Sequence, residues 1–141
     1  ANVIYSPWLD VEFLPAKNDA GDTLFFGAEI NAEKMVDSIL QKGEVKVYAN
    51  LGTSANPWII ALPTVDPLLN FFVNVYLFEP KTITLYASED LSTGTVTGGA
   101  KAQQFRYVLI PGGTAARPAP GTKAIDWNNY NEVKQHLGLK D

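Results

Sequence analysis

Residues 70–88 read NFFVNVYLFEPKTITLYAS. Two runs rich in β-branched and aromatic residues flank Glu79-Pro80-Lys81, and proline pre-sets the first central position of a tight turn. The spacing predicts a hairpin with strands over 70–78 and 82–88. A connection this short commits its strands to antiparallel pairing. The first run is apolar on both faces apart from Asn74, which predicts a central strand lying between two layers.

Working outward, residues 103–111 (QQFRYVLIP) predict another strand, with Phe105, Tyr107 and Leu109 on one face and Arg106, Val108 and Ile110 on the other. Arg106 is expected on the less buried side, placed for a cross-strand ion pair. Upstream, residues 3–13 (VIYSPWLDVEF) carry Val3, Tyr5, Trp8, Val11 and Phe13 as apolar anchors. Pro7 removes a ladder donor, so the segment reads as an edge strand or two short pieces. A polar turn over 17–22 leads to a second strand at 23–30.

Residues 31–43 change period: Met35, Val36, Ile39 and Leu40 share one helical face. Asn31 is expected to cap this helix and Gly43 to provide a left-handed exit. Alternation returns at 44–50, with Val45, Val47 and Ala49 set against Glu44, Lys46 and Tyr48. Residues 58–65 predict one strand. The small-residue stretch 89–102 reads as a long connection with a short edge strand near 95–97, and 114–124 as an extended proline-rich segment. Trp127, Tyr130, Val133 and Leu137 recur at helical spacing in the last segment, with Asn129 and Glu132 as a capping box and Gly138 at its end. The fold class expected is mostly all-β. It is a single domain over 1–141, an antiparallel β-sandwich or open barrel of about seven strands, with one inserted short helix and a C-terminal helix.

Composition bounds function. The 141 residues suffice for a core without staples, and 46% apolar and 18% charged residues are ordinary for a globular chain. A net charge of −4 with 11 scattered basic residues argues against nucleic acid. No cysteine means no disulfide, thiolate ligand or cysteine nucleophile. No apolar run approaches the roughly 18 residues of a transmembrane helix. The start at Ala1 with a strand pattern close behind fits a mature chain whose export signal has been removed.

Candidate sites each meet a simpler alternative. Gly112-Gly113-Thr114 lacks both the three-glycine spacing of a dinucleotide loop and the Lys-Ser/Thr of a P-loop, so it reads as a strand-ending turn. His136, the one histidine, falls on a solvated helix face four residues after Glu132 and is a poor general base alone. Asn18, Asp19, Gly21 and Asp22 lack calcium-loop spacing and read as a polar turn. Glu89 and Asp90 end a strand, and nothing in the sequence marks them as a catalytic carboxylate pair. Trp8, Trp58 and Trp127 could stack on sugars, but each sits in an apolar pattern and is expected in the core. No catalytic or metal-ligating residue and no cofactor is assigned, and no ligand-binding residue can be named.

The succession VIYSPWLDVEF, INAEKMVDSILQKG, EVKVYANLG, WIIALP, RYVLIPGG and IDWNNYNEVKQHLGL resembles a group of small uncharacterised exported domains of Bacteroidetes, often lipoproteins. That resemblance implies an all-β domain in the periplasm or at the cell surface, with a lipid anchor carried on a removed N-terminal segment. It carries over no site residue. The expectation is a non-enzymatic surface, adhesion or assembly module with a protein or glycan partner. The alternative is a small-molecule or glycan binder using aromatic side chains at one end of the sandwich.

Overall fold

The computed structural model describes residues 2–113 and 124–141; the proline-rich stretch expected to be extended lies almost wholly outside them. Two antiparallel sheets make a β-sandwich, and the open-barrel alternative is not adopted. The strands are β1 (Ile4–Tyr5), β2 (Leu14–Lys17), β3 (Thr23–Asn31), β4 (Glu44–Asn50), β5 (Ile59–Leu62), β6 (Thr64–Asp66), β7 (Phe71–Glu79), β8 (Thr82–Ala87), β9 (Gly94–Thr95), β10 (Lys101–Ala102) and β11 (Gln104–Ile110). The helices are α1 (Asp37–Lys42) and α2 (Tyr130–Leu137). One sheet has the order β1-β11-β4-β5, the other β2-β3-β8-β7-β6, and β9 pairs with β10 as a small separate hairpin.

The 70–88 hairpin forms as β7 and β8, turning through Pro80 and Lys81, whose φ of 68° completes the reversal. The N-terminal run is indeed two edge pieces. β1 pairs with β11, and after Pro7 a single bridge joins Leu9 to Phe105. Residues 58–65 do not make one strand. Pro63, with no N–H to donate, separates β5 in one sheet from β6 in the other, so this segment is where the chain changes layers.

The first helix is shorter than its periodicity predicts. Asn31 does not cap it: β3 runs through Asn31, paired with Thr82. Residues 32–36 then dock on the β7–β8 turn through Ala32 N–H to Lys81 O (2.8 Å) and Lys81 N–H to Met35 O (2.8 Å). Met35 and Ile39 are buried, whereas Val36, expected on the same face, is exposed and stands at the helix N-cap without a side-chain cap. Gly43 is extended, not left-handed. Its value is close approach: a Cβ there would lie 2.2 Å from the Ile110 carbonyl oxygen, and one on Gly112 would lie 2.6 Å from that of Lys42. The two glycines let the exit of α1 cross the end of β11 backbone to backbone.

The core between the sheets gathers Phe13, Ile30, Met35, Val47, Val73, Ile83, Leu85, Phe105 and Leu109, all buried. A second cluster forms outside the four-stranded sheet, where Tyr48, Val108 and Ile110 meet Tyr130 and Val133 of α2. Asn129 caps α2 by accepting from Glu132 N–H at 3.2 Å. Gly138 ends it in the left-handed conformation. The four-stranded sheet is therefore covered on both faces.

Candidate functional site

The other sheet is different. Alternation along β3, β7 and β8 sends Phe26, Ala28, Ile30, Val73, Ile83, Leu85 and Ala87 into the core. It sends Phe25, Tyr76 and Tyr86 outward, and none of these three belongs to either core cluster. The expectation that β7 lies between two layers is therefore corrected: its outer face has no covering layer among the described residues.

Four rings form a contiguous row there. Phe25 and Tyr86 have centroids 4.5 Å apart, Tyr86 and Tyr76 4.8 Å, and Tyr76 and Phe78 5.2 Å with planes within 4° of parallel. Phe78 is 66% exposed. It joins the row because of a β-bulge: between the Tyr76–Thr84 and Glu79–Thr82 pairs, Leu77 and Phe78 together oppose the single residue Ile83. Gly27 is the cross-strand partner of Tyr86, whose ring passes 3.7 Å from where a Cβ would be, at ordinary contact distance. Beside Tyr86 a shallow hollow of about 370 Å³ opens over Gly27, walled by Glu12, Leu14, Glu29 and Thr84.

The tryptophans fall elsewhere. Trp8 and Trp127 are half-buried and pack on the second cluster, Trp8 with its ring centroid 5.7 Å from Tyr130. Trp58 contradicts the core expectation. It is 66% exposed, because the loop before β5 is closed by its backbone, with Trp58 N–H donating to Asn50 Oδ1 at 3.0 Å, and not by its ring.

Arg106 is also corrected. It lies on the predicted face, but that face is beneath α2, and Arg106 is 1% exposed. Nε donates to Ser6 O (2.8 Å), Nη1 to Tyr130 Oη (2.8 Å) and Nη2 to Lys140 O. The Tyr5 and Trp8 rings flank the guanidinium at 5.3 and 5.1 Å, and the Asp141 carboxylate lies 3.8 Å away. Burial pushes the Tyr48 phenol well above its usual range, helped by neighbouring Tyr130. Burial raises the Tyr130 phenol too, against the opposing pull of Arg106. Arg106 therefore donates one hydrogen bond from each of its three side-chain nitrogens to a neutral partner and fixes α2 and the residues after it.

The polar candidates resolve into turns and pins. Asn18 Oδ1 accepts from Asp22 N–H at 2.9 Å, closing the β2–β3 turn. Asp90 accepts from Ser92 N–H (3.0 Å) and Oγ (2.5 Å), and these bonds lower its carboxyl below the usual range. Ser92 and Thr93 extend the sheet edge by side chain: Ser92 Oγ accepts from Phe13 N–H and Thr93 Oγ1 from Val11 N–H. Asp10 pairs with Lys101 and accepts from Gln104 Nε2 at 2.8 Å. The Lys101 bond leads in holding its carboxyl low. His136 is exposed on α2. Among the described residues no three His, Asp or Glu side chains cluster as metal ligands, and no helix is long and apolar enough to cross a membrane.

Sequence patterning signalled an apolar outer face on the 70–88 hairpin but misread it as covered. The bulge that brings Phe78 beside Tyr76 had no sequence signal. No protein-family model matches the chain, and neither a curated protein nor a solved structure matches it.

Proposed function

We propose that this protein is a non-enzymatic, exported adhesion or assembly module that binds through the outer face of its five-stranded sheet. The observation that carries the reading is the row Phe25, Tyr86, Tyr76 and Phe78, solvent-facing on a fold whose other sheet is covered on both sides. Aromatic side chains bury large area at low entropic cost, so an uncovered row of them is a natural recognition surface. The exported part of the reading rests on the resemblance of the segment order to exported domains. Among the described residues the polar clusters add no nucleophile with its base: Ser92 and Asp90 bond each other within a turn.

Beads carrying the protein should adhere to isolated bacterial cell envelopes, and the Tyr76→Ser, Tyr86→Ser double variant should lose that adhesion while still folded and unfolding cooperatively. Adhesion that survives the double substitution sinks the reading. So does turnover of a glycoside, ester or peptide substrate by the purified protein.

A further inference from the structure

We infer that the ligand of this face is a neutral polysaccharide chain, with one sugar residue seated in the hollow over Gly27 against the Tyr86 ring. The inference rests on the binding reading above and names its ligand class.

Size is the first ground. The aromatic row spans β3, β8 and β7, and β8 has six residues. Three strands at about 4.8 Å spacing and about 20 Å length give roughly 300 Å². A stable protein interface takes about 800 Å² from each partner. Even all five strands of the face, with exposed Leu14 and Val65 flanking the rings, give only roughly 500 Å², which favours a small ligand over a second copy of this chain.

Chemistry is the second. Sugar rings present C–H groups on their faces and hydroxyls around their edges, so they need an aromatic surface flanked by hydrogen-bonding side chains. The hollow supplies both. Tyr86 is its aromatic wall, Glu12, Glu29 and Thr84 are its polar rim, and the missing side chain of Gly27 makes its floor. None of Glu12, Glu29 and Thr84 hydrogen-bonds a described residue through its side chain, so their polar atoms are free to meet hydroxyls. Carboxylates accept from neutral sugar hydroxyls and repel acidic ones. The ligand is therefore a neutral glycan and not a uronate. Beyond Tyr86 the chain would continue over Tyr76 and Phe78, which close a triangle of rings with it, Phe78 lying 6.4 Å from Tyr86.

Affinity electrophoresis through gels containing soluble glucan, mannan, galactan or polygalacturonate tests this. At least one neutral polysaccharide should retard the protein, polygalacturonate should not, and Tyr86→Ala should weaken retention at least tenfold while the variant still unfolds cooperatively. No retardation by any neutral polymer, equal retardation by polygalacturonate, or full retention by the variant would each overturn the inference. Two further outcomes separate it from the broader reading. Envelope adhesion that depends on Tyr76 and Tyr86 but survives periodate oxidation of the envelopes would mean a protein partner. A dimer in solution that Tyr86→Ala dissociates would mean a second copy. Either result ends the glycan inference and leaves the binding face standing, whereas adhesion indifferent to both tyrosines removes both.

Discussion

The outer faces of the two sheets start from the same sequence pattern and end differently. On the four-stranded sheet, Tyr48, Arg106, Val108 and Ile110 point outward and are buried by α2. On the five-stranded sheet, Phe25, Tyr76, Phe78 and Tyr86 point outward without a covering layer, Phe78 exposed and the other three half-buried. An apolar outer face shows only that a strand can be covered. Whether it becomes core or contact surface depends on whether the chain supplies the cover. Among the described residues it does so once.

The comparison breaks most sharply at Arg106. Arg106→Ala should destabilise the domain by about 3–5 kcal/mol, because Tyr130 Oη and the Ser6 and Lys140 carbonyls lose their donors together. Denaturant unfolding measures this, and a change under about 1 kcal/mol would mean that α2 is held by its apolar contacts alone. Next comes Gly43→Ala. It places a methyl group inside the Ile110 carbonyl oxygen and should cost about 1–3 kcal/mol through forced backbone movement.

On the open face the expectation reverses. Tyr76→Ser with Tyr86→Ser should shift stability by only about 1–2 kcal/mol, since both rings are half-buried and cross-strand aromatic pairs contribute less than about 1 kcal/mol each, while adhesion is lost. A loss of several kcal/mol would show the row to be structural, like its counterpart under α2.

The smallest effect concerns acid. The Asp141 carboxyl is held below its ordinary value of 3.8, first by its bond to Lys134. A depressed folded pKa contributes stability that is present above the unfolded value and lost as pH falls through the folded one. Asp141→Asn should therefore lower stability slightly at neutral pH, leave it unchanged at the acid end, and so flatten the acid limb below about pH 4. The Asp141 side chain is 60% exposed and solvent screens it, so the change is small. An acid limb identical to the parent's would assign the pH dependence to other carboxylates.

What was legible in the sequence follows the same division. Local pattern located the β7–β8 hairpin, β4, β11 and α2 because turn chemistry, alternation and capping act within a few residues. It also divided the faces of β11 correctly. It misjudged Arg106, whose burial depends on a helix 24 residues later, and placed Trp58 in the core on local apolarity alone. Asn31 was read as a cap because its long-range pairing with Thr82 is invisible locally. The aromatic row was half legible: Tyr76 and Tyr86 follow from alternation, Phe78 only from the bulge.

The crossing of Gly43 and Gly112 also acts as a gauge for strand alignment. β4 and β11 pair from Gln104–Asn50 to Ile110–Glu44, and just beyond that last pair the backbones come too close for any side chain. A slip of one residue would bring Lys42 or Glu44 to the place of Gly43 and set its Cβ against the Ile110 carbonyl. It would also turn Val47 out of the core. The glycines thus reject the misaligned ladder by steric exclusion, at a strand pair whose partners lie some sixty residues apart.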